Sequence, residues 1–226
     1  MTGPAIPWKP CGGRCNGPMT LENKLNYSES ASVNVADTAL IRSSEINVGP
    51  GAELTVKPRA IINECKIYIL EGATVFIGEN TRLDGIKARV RKPEASLKIG
   101  RKCIINAFSI IICDRSIEIG KYVLIAPGVF LTDSQVHSLD WRERREEIDE
   151  LTLGKWPNLT AKTYKLKIGD DCWLGHSSQV LAPKGDSEEL ILGMGTIVGA
   201  GAIVKESFPE PFKTIAGVPA KFIRYV

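Results

Sequence analysis

The sequence lacks the features of a membrane, exported or nucleic-acid-binding protein. None of its apolar stretches approaches the length of a transmembrane span. The segment Met1–Pro10 has no apolar core of the signal-peptide type, so we expect a cytoplasmic protein. The net charge is only +3, and no basic run is long enough to favour nucleic acid as a partner.

Length and composition indicate one substantial domain with a short extension. A chain of 226 residues with 43% hydrophobic composition is large enough to bury a single core. Residues 1–40 are rich in Gly, Pro, Ser and Asn and carry little of the repeat described below. We therefore predict a loop-rich N-terminal cap or arm over residues 1–40 and the main domain over residues 41–226.

Apolar residues recur every six positions through the second half of the chain. The register shifts by two residues after its fourth member and is interrupted once for a longer stretch. A period of six fits neither a strand nor a helix. The positions are Ile99, Ile105, Ile111, Ile117, then Ile119, Ile125, Leu131, then Ile168, Leu174, Val180, and finally Leu192, Val198, Val204.

This period predicts an all-β fold, a parallel β-helix. Each hexapeptide forms a short strand and a corner, three of them complete a coil, and the recurring apolar residue points inward. Small residues such as Gly100, Gly120 and Gly169 follow the apolar ones and let the backbone turn. An ordinary β-sandwich is the alternative, but strand alternation does not produce a sustained six-residue phase.

The six cysteines divide between the repeats and the N-terminal arm. Cys103 and Cys172 share one phase of the repeat, so we interpret them, with Cys65 and Cys113, as small packing residues. The segment Cys11–Cys15 holds the other two, at a spacing that differs from common zinc sites. A metal clip or a disulfide stays open there, but we favour free thiols in a reducing compartment.

Three motifs resemble the C-terminal half of a hexapeptide-repeat acyltransferase. They are Ile168–Gly175 (Ile-Gly-Asp-Asp-Cys-Trp-Leu-Gly), Val198–Val204 (Val-Gly-Ala-Gly-Ala-Ile-Val) and Ile215–Arg224 (Ile-Ala-Gly-Val-Pro-Ala-Lys-Phe-Ile-Arg). Within that superfamily the chain is similar to saccharide and polysaccharide O-acetyltransferases, including capsular sialic-acid O-acetyltransferases. The resemblance covers residues 40–226 approximately.

The resemblance implies several structural features. The general rule for parallel crossovers predicts a right-handed helix, whereas the resembled family is left-handed, and we follow the family. It also implies a homotrimer in which a neighbouring subunit completes each site. Related carbonic anhydrases of this fold need three histidines per zinc, and this chain has only two, so we exclude that activity and expect no metal.

The main interruption, residues 132–167, is predicted to be an inserted active-site loop, because long insertions in regular solenoids are usually functional. We predict a short helix over 142–151 within it. Trp141 and Trp156 are candidate substrate-binding residues, since aromatic faces suit sugar rings. The alternative is that they pin the loop to the coil.

His137 and Trp173 are the candidate catalytic residues. The family places a histidine base a few residues after a repeat ends, which matches Leu131–His137. Imidazole can take a proton from a sugar hydroxyl and return it to a leaving thiolate. We considered Asp133 or Asp140 as a partner for the ring. In resembled enzymes the Trp of Trp-Leu-Gly lines the site, where Trp173 could position the acceptor or stabilise an oxyanion.

The resemblance further implies acetyl-CoA as the donor. The family's pantetheine groove matches His176 and Ala200, and its basic C-terminal segment matches Lys221 and Arg224. Lys205 lies near the family's Thr-Lys pair, although the spacing differs by one residue. His176 itself departs from the usual small or polar residue and could be a second acid–base group. Residues 184–189 add an insertion, which we expect to be a polar loop near the groove.

We therefore predict an acetyl-CoA-dependent O-acetyltransferase acting on a saccharide of a bacterial capsule, O-antigen or exopolysaccharide. Three alternatives stay open. They are N-acetylation of an amino sugar, acetylation of a small sugar or antibiotic, and a non-catalytic β-helix used for binding. The first is disfavoured because residues 1–40 are too short for the usual nucleotide-binding domain.

Overall fold

The computed structural model describes residues 23–154, 161–183 and 187–226. These ranges contain 24 β-strands, numbered β1 to β24 in chain order, and one helix, α1, over Trp141–Thr152. The predictions for Trp156 and for the Cys11–Cys15 segment fall outside the described residues, as does part of the loop predicted over 184–189.

The strands form three sheets, which we call faces A, B and C. Face A contains β1 Lys24–Tyr27, β4 Glu45–Val48, β7 Lys66–Ile69, β10 Lys87–Val90, β13 Ile110–Cys113, β16 Phe130–Thr132, β19 Gln179–Val180 and β22 Ile203–Val204. Face B contains β2 Ser32–Val35, β5 Glu53–Val56, β8 Thr74–Ile77, β11 Ser96–Ile99, β14 Ser116–Ile119, β17 Lys165–Ile168 and β20 Glu189–Leu192. Face C contains β3 Leu40–Arg42, β6 Ile61–Asn63, β9 Arg82–Asp84, β12 Ile104–Ile105, β15 Leu124–Ile125, β18 Trp173–Leu174, β21 Ile197–Val198, β23 Lys213–Ala216 and β24 Lys221–Tyr225.

Except for β24, each strand pairs in parallel with the equivalent strand of an adjacent coil, and strands inside a sheet do so on both sides. On face A, Lys24 pairs with Glu45 and Glu45 pairs with Lys66, so a coil in this part takes 21 residues. Three hexapeptides would give a shorter coil. The difference arises because faces A and B carry mostly four-residue strands with two inward side chains each. The chain is therefore the parallel β-solenoid that the six-residue period predicts, and its left-handed winding stays a prediction of the resemblance.

The core is a set of apolar columns in which like residues stack along the axis. One column on face A is fully in register from coil to coil, and its members from the second coil onward are at most 1% exposed. Its members are Leu25, Ile46, Ile67, Ala88, Ile111, Leu131, Val180 and Val204. The two-residue shift in the sequence period lies inside β14, where Ile117 and Ile119 both point inward.

Four cysteines belong to this core, which confirms the prediction made from the repeat phase for Cys103 and Cys172 and the packing role expected for Cys65 and Cys113. Cys65, Cys103, Cys113 and Cys172 are buried free thiols. Burial raises the pKa of Cys65 and of Cys172 to about 11. Because the thiolate is the reactive form, these residues serve packing and not nucleophilic chemistry.

Glycine at the corner between faces B and C permits close stacking of the coils. A Cβ added to Gly100 would lie 2.3 Å from the carbonyl oxygen of Gly120. That distance is far inside van der Waals contact, so a larger residue would push the coils apart.

The solenoid begins earlier than the sequence suggests. Strands β1 and β2 form at Lys24 and Ser32, inside the segment assigned to an N-terminal arm, and β3 begins at Leu40. The boundary at residue 41 is therefore wrong for the described part of that segment. At the other end, β24 folds back antiparallel on β23.

The longest connection between consecutive described strands lies between β16 and β17, and this excursion from the solenoid contains α1. The helix over Trp141–Thr152 confirms the prediction of a helix over 142–151. Asp140 caps it by accepting a hydrogen bond from the Arg142 backbone N–H at 2.8 Å. Across the part of the chain described, no helix is long and apolar enough to span a membrane.

Candidate active site

A buried carboxylate anchors the start of the excursion, which we call the transfer loop (residues 133–164). Asp133 is fully buried and accepts hydrogen bonds from three successive backbone N–H groups, those of Asp114, Arg115 and Ser116, at 2.6–2.8 Å. Burial raises the pKa of Asp133, and the N–H donors oppose that rise. Asp133 therefore holds the loop against the preceding coil and is not available to His137.

A second buried carboxylate, Asp114, joins the loop base to face A. The Arg91 guanidinium donates two hydrogen bonds to it, at 2.7 and 2.6 Å. Burial alone would raise the pKa of Asp114, but the hydrogen bonds and the positive charge of Arg91 hold it below its ordinary value. The side chains of Arg91 and Asp114 are 7% and 1% exposed, so the pair is shielded from solvent.

The two arms of the transfer loop are tied together close to the solenoid. Ser134 pairs with Thr163 in an antiparallel bridge, and the Gln135 N–H donates to the Lys162 carbonyl at 3.1 Å. The buried Tyr164 hydroxyl donates to the Thr132 carbonyl. The next residue beyond this base, Val136, has a φ of +64°, which β-branched residues rarely adopt. Such strain is typical of functional loops.

His137 follows directly and forms the central pair of the site. Its Nδ1 lies 2.8 Å from Oε2 of Glu147 on α1. The imidazole is 54% exposed, whereas the Glu147 side chain is only 6% exposed. An ionised carboxylate accepts only, so Nδ1 donates and Nε2 keeps its lone pair toward solvent.

Glu147 is the residue of the candidate site that sequence reasoning missed. We considered Asp133 and Asp140 as partners of His137, and both are engaged elsewhere, in the loop base and at the helix cap. Glu147 is the one buried residue of α1, on a helix whose acidic residues otherwise face solvent. Nothing in the sequence separates it from Glu146 or Glu150, because only the packing of the helix turns it inward. Its other oxygen, Oε1, is buried and has no hydrogen-bond partner in the described structure.

Trp141 lies at the start of α1, 51% exposed. Two guanidinium groups of its own helix lie over the ring, those of Arg142 at 4.7 Å and Arg145 at 5.1 Å. This exposure argues against the alternative in which Trp141 pins the loop to the coil.

Trp173 lies on face C, in a different sheet from the strand that precedes His137. It is 48% exposed and pairs in register with Leu124 and Ile197. No hydrogen bond or ring contact between described residues joins Trp173 to His137. In the described part of a single chain, the two candidate catalytic residues are therefore not in direct contact.

His176 and Ala200 come together at the corner between faces C and A. The Gly201 N–H donates to the His176 carbonyl at 2.8 Å, which stacks the two corners. A Cβ on Gly128 would lie 3.9 Å from Cε1 of His176, so the imidazole lies beside the preceding corner. His176 and Ala200 are both exposed.

The three basic candidates lie near the C-terminal end of the solenoid. Lys205 follows β22, while Lys221 and Arg224 project from β24 and are exposed. The Lys221 ammonium lies 2.7 Å from a carboxylate oxygen of Glu206, the residue next to Lys205. Over the described ranges, no group of three or more His, Cys, Asp or Glu side chains is arranged to hold a metal ion.

No family model matches the chain. Two relatives found by sequence comparison are named as an acetyltransferase and an O-acetyl transferase. A protein of Escherichia coli (strain K12), named as a lipopolysaccharide biosynthesis O-acetyl transferase, is 30% identical over 182 residues. The alignment covers 74% of this chain and 82% of that protein. A Mycobacterium tuberculosis (strain H37Rv) protein named as an acetyltransferase is 27% identical over 190 residues, covering 84% of this chain and 53% of that protein. The chain thus spans about half the length of the mycobacterial relative.

A crystal structure of the polysialic acid O-acetyltransferase OatWY has the same fold. It superposes with a TM-score of 0.69 at 20% sequence identity, covering 87% of this chain and 85% of that one.

The buried pair at the loop base gives a stability prediction. Replacing Arg91 by Met should lower the free energy of unfolding by about 3–5 kcal/mol at pH 7, because Asp114 is left charged, buried and unpaired. Lys98→Met is the control, since the exposed Lys98–Glu118 pair at 3.2 Å should contribute less than about 1 kcal/mol. The free energy of unfolding of both variants would be measured by urea denaturation. Equal losses of stability would contradict the conclusion that the buried Arg91–Asp114 pair stabilises the loop base.

The same pair should make that loss depend on pH. The folded-state pKa of Asp114 is depressed, so its contribution is present above the unfolded pKa and is lost as pH falls through the folded value. The difference in the free energy of unfolding between wild type and Arg91→Met, measured by urea denaturation over a range of pH, should therefore narrow below pH ~4.

Proposed function

Because the chain belongs to the hexapeptide-repeat acetyltransferases, we propose that it transfers an acetyl group from acetyl-CoA to a hydroxyl group of a saccharide. The observation that carries this proposal is the pair of His137 and Glu147, an exposed imidazole held through Nδ1 by a buried carboxylate at 2.8 Å. A sugar hydroxyl is a poor nucleophile near neutral pH and needs such a base.

In the proposed reaction, Nε2 of His137 takes the proton of the acceptor hydroxyl. The oxygen attacks the thioester carbonyl, and a tetrahedral oxyanion forms. When the carbon–sulfur bond breaks, the imidazolium returns the proton to the leaving thiolate. Glu147 holds the ring in the tautomer that the first step requires and stabilises the imidazolium. The indole N–H of Trp173 would position the acceptor or stabilise the oxyanion.

The donor site is proposed at the corner of His176 and Ala200, with the C-terminal cations beyond it. Exposed backbone at this corner suits the amide groups of pantetheine. Lys205, Lys221 and Arg224 would face the nucleotide phosphates, for which Lys and Arg are the usual partners. Lys221 would then exchange its partner Glu206 for phosphate.

The acceptor is proposed to be a bacterial surface saccharide, of a capsule, O-antigen or exopolysaccharide. The support is the name of the E. coli relative, which concerns lipopolysaccharide. Trp141 and Trp156 remain candidates for the acceptor side. A cytoplasmic location belongs to the same proposal, since acetyl-CoA is made there and a precursor can be modified before export.

We also propose that the chain is a homotrimer whose sites are shared between subunits. In a single chain, no described contact joins His137 to Trp173. Face C carries an outward apolar row, in register, of Ile104, Leu124 and Trp173, which are 40–48% exposed. Contiguous exposed apolar surface of this kind is typical of protein interfaces.

The function is tested with His137→Ala. Turnover of acetyl-CoA, followed by free-thiol release with a panel of bacterial glycans, should fall about 10²- to 10⁴-fold, while CoA binding stays unchanged. An acceptor product that loses acetyl in mild base is an O-ester, and a base-stable product would mean amide formation and an N-acetyltransferase. Unchanged turnover in the variant would remove His137 from the mechanism.

Glu147→Gln tests the positioning role. It should lower kcat about 10- to 100-fold, less than loss of the base itself, with the KM for acetyl-CoA unchanged. Glu146→Gln is the matched control, since that neighbouring glutamate is exposed. Equal effects of both substitutions, or a change confined to thermal stability, would show a structural role only.

The shared site is tested by mixing two inactive variants. If His137 of one chain and Trp173 of the next complete a site in a ring of three, every mixed ring of His137→Ala and Trp173→Ala chains contains one intact site. Co-expression with two affinity tags, followed by purification on both, should therefore restore about one third of wild-type activity. Activity that stays at the level of the separate variants would show that the residues do not act across chains.

A further inference from the structure

Face A carries a cationic patch on the N-terminal side of the transfer loop, which we call the Arg89 patch (Lys66, Tyr68, Lys87 and Arg89). The residues lie on adjacent strands, β7 and β10, where Lys66 pairs with Lys87 and Tyr68 with Arg89. All four side chains point outward, and the three cations are exposed. None of the three forms an ion pair with another described residue.

The two central residues are arranged so that their polar groups remain usable. The Arg89 guanidinium lies 5.8 Å from the centre of the Tyr68 ring. This distance is within the range of a cation–π contact, and the Arg89 N–H groups donate to no other described residue, so they stay available to a ligand. The Tyr68 hydroxyl donates to Oε1 of Glu45 at 3.2 Å, which fixes the ring.

A cavity opens beside Tyr68 and Arg89. It has a volume of about 150 Å³ and is lined by Tyr68, Leu70, Arg89 and Arg91. Among the described residues that line the cavity, Arg91 is already paired with Asp114 at 2.6 Å, and Arg89 is the cation without an ion-pair partner. Apolar walls with a guanidinium at the rim suit a ring that has an apolar C–H face and carries a carboxylate.

The position of the patch relates it to the transfer loop. Strands β7, β10, β13 and β16 are consecutive in face A, and His137 follows β16 by five residues. With neighbouring strands about 4.8 Å apart, the patch lies about 10–14 Å along the axis from β16. One sugar cannot reach both places, but a chain of sugars that runs along the face can.

We propose that the Arg89 patch is a second, non-catalytic subsite that binds a carboxylate-bearing sugar unit of a polymeric acceptor. The inference rests on the proposed saccharide transfer and narrows its acceptor class from any saccharide to an acidic polysaccharide. The patch recruits and orients the polymer, and a unit further along the chain reaches His137.

Binding of sialic-acid oligomers to the full chain tests this subsite without relying on catalysis. We expect Lys87→Ala/Arg89→Ala to weaken calorimetric binding of long oligomers about tenfold, because the variant removes two cations that would donate charge-assisted hydrogen bonds to a carboxylate. The control is Lys57→Ala/Lys98→Ala, which removes two exposed cations that lie two coils apart on face B and its corner. Arg89→Gln is a milder second variant, and thermal unfolding confirms that each protein is folded.

Kinetics supply the second readout. The kcat/KM for long acidic acceptors should fall about tenfold in Lys87→Ala/Arg89→Ala, while that for acceptors of one or two sugars stays unchanged. No difference in binding of long oligomers, or equal loss in the face B control, would overturn the subsite. Two results would overturn the assignment to acidic sugars. One is that Lys87→Ala/Arg89→Ala weakens binding of neutral dextran as much as binding of sialic-acid oligomers. The other is that the wild-type protein binds inorganic polyphosphate as tightly as it binds those oligomers. If no acceptor is acetylated, the proposed function fails, and the binding measurement still decides the subsite.

Discussion

The structure depends on hydrogen bonding between successive coils. Each strand is bonded to its equivalents above and below, and inward side chains stack in the same register, so a coil is stabilised only by its neighbours. This constraint acts at the strands and not at the corners. The chain can therefore leave at a corner, provided that it returns in register. It does so between β16 and β17, since Ser116 pairs with Lys165 as if the transfer loop were absent.

The transfer loop combines a fixed base with an exposed functional group. Asp133, Asp114 and Tyr164 bury polar groups at the base and satisfy them with backbone or guanidinium partners. Only beyond this base does the chain present His137, and the carboxylate that orients it comes from α1. A solenoid supplies rigid, repetitive surfaces, and an insertion of this kind adds groups that the repeat does not carry. The outward side chains, for example the Arg89 patch, remain free to differ from coil to coil.

The sequence predicted features that depend on local pattern. The inward isoleucines, the packing cysteines, the α1 helix and the position of the excursion all follow from spacing, and the relatives confirm the family. The first coil, β1 to β3, was not predicted from the sequence. Its strands have a described coil on one side only, so fewer of their side chains are fully buried. Residues such as Tyr27 and Val33 are half-buried there, and their sequence pattern is correspondingly weaker. The coil length was underestimated because β14 and its equivalents point two side chains inward instead of one.

By itself, therefore, the sequence determined the solenoid, its core columns and the position of His137 in the long connection after β16. It could do so because each coil repeats the same pattern of buried apolar positions. The tertiary structure alone decided which carboxylate meets His137, since Glu147 differs from Glu146 and Glu150 only in the direction that helix packing gives it. It also decided that Lys87 and Arg89 stand beside Lys66 and Tyr68, residues 21 positions earlier that only the coil register brings together. Contacts of this kind depend on the phase of an element against its neighbours, which no local pattern records.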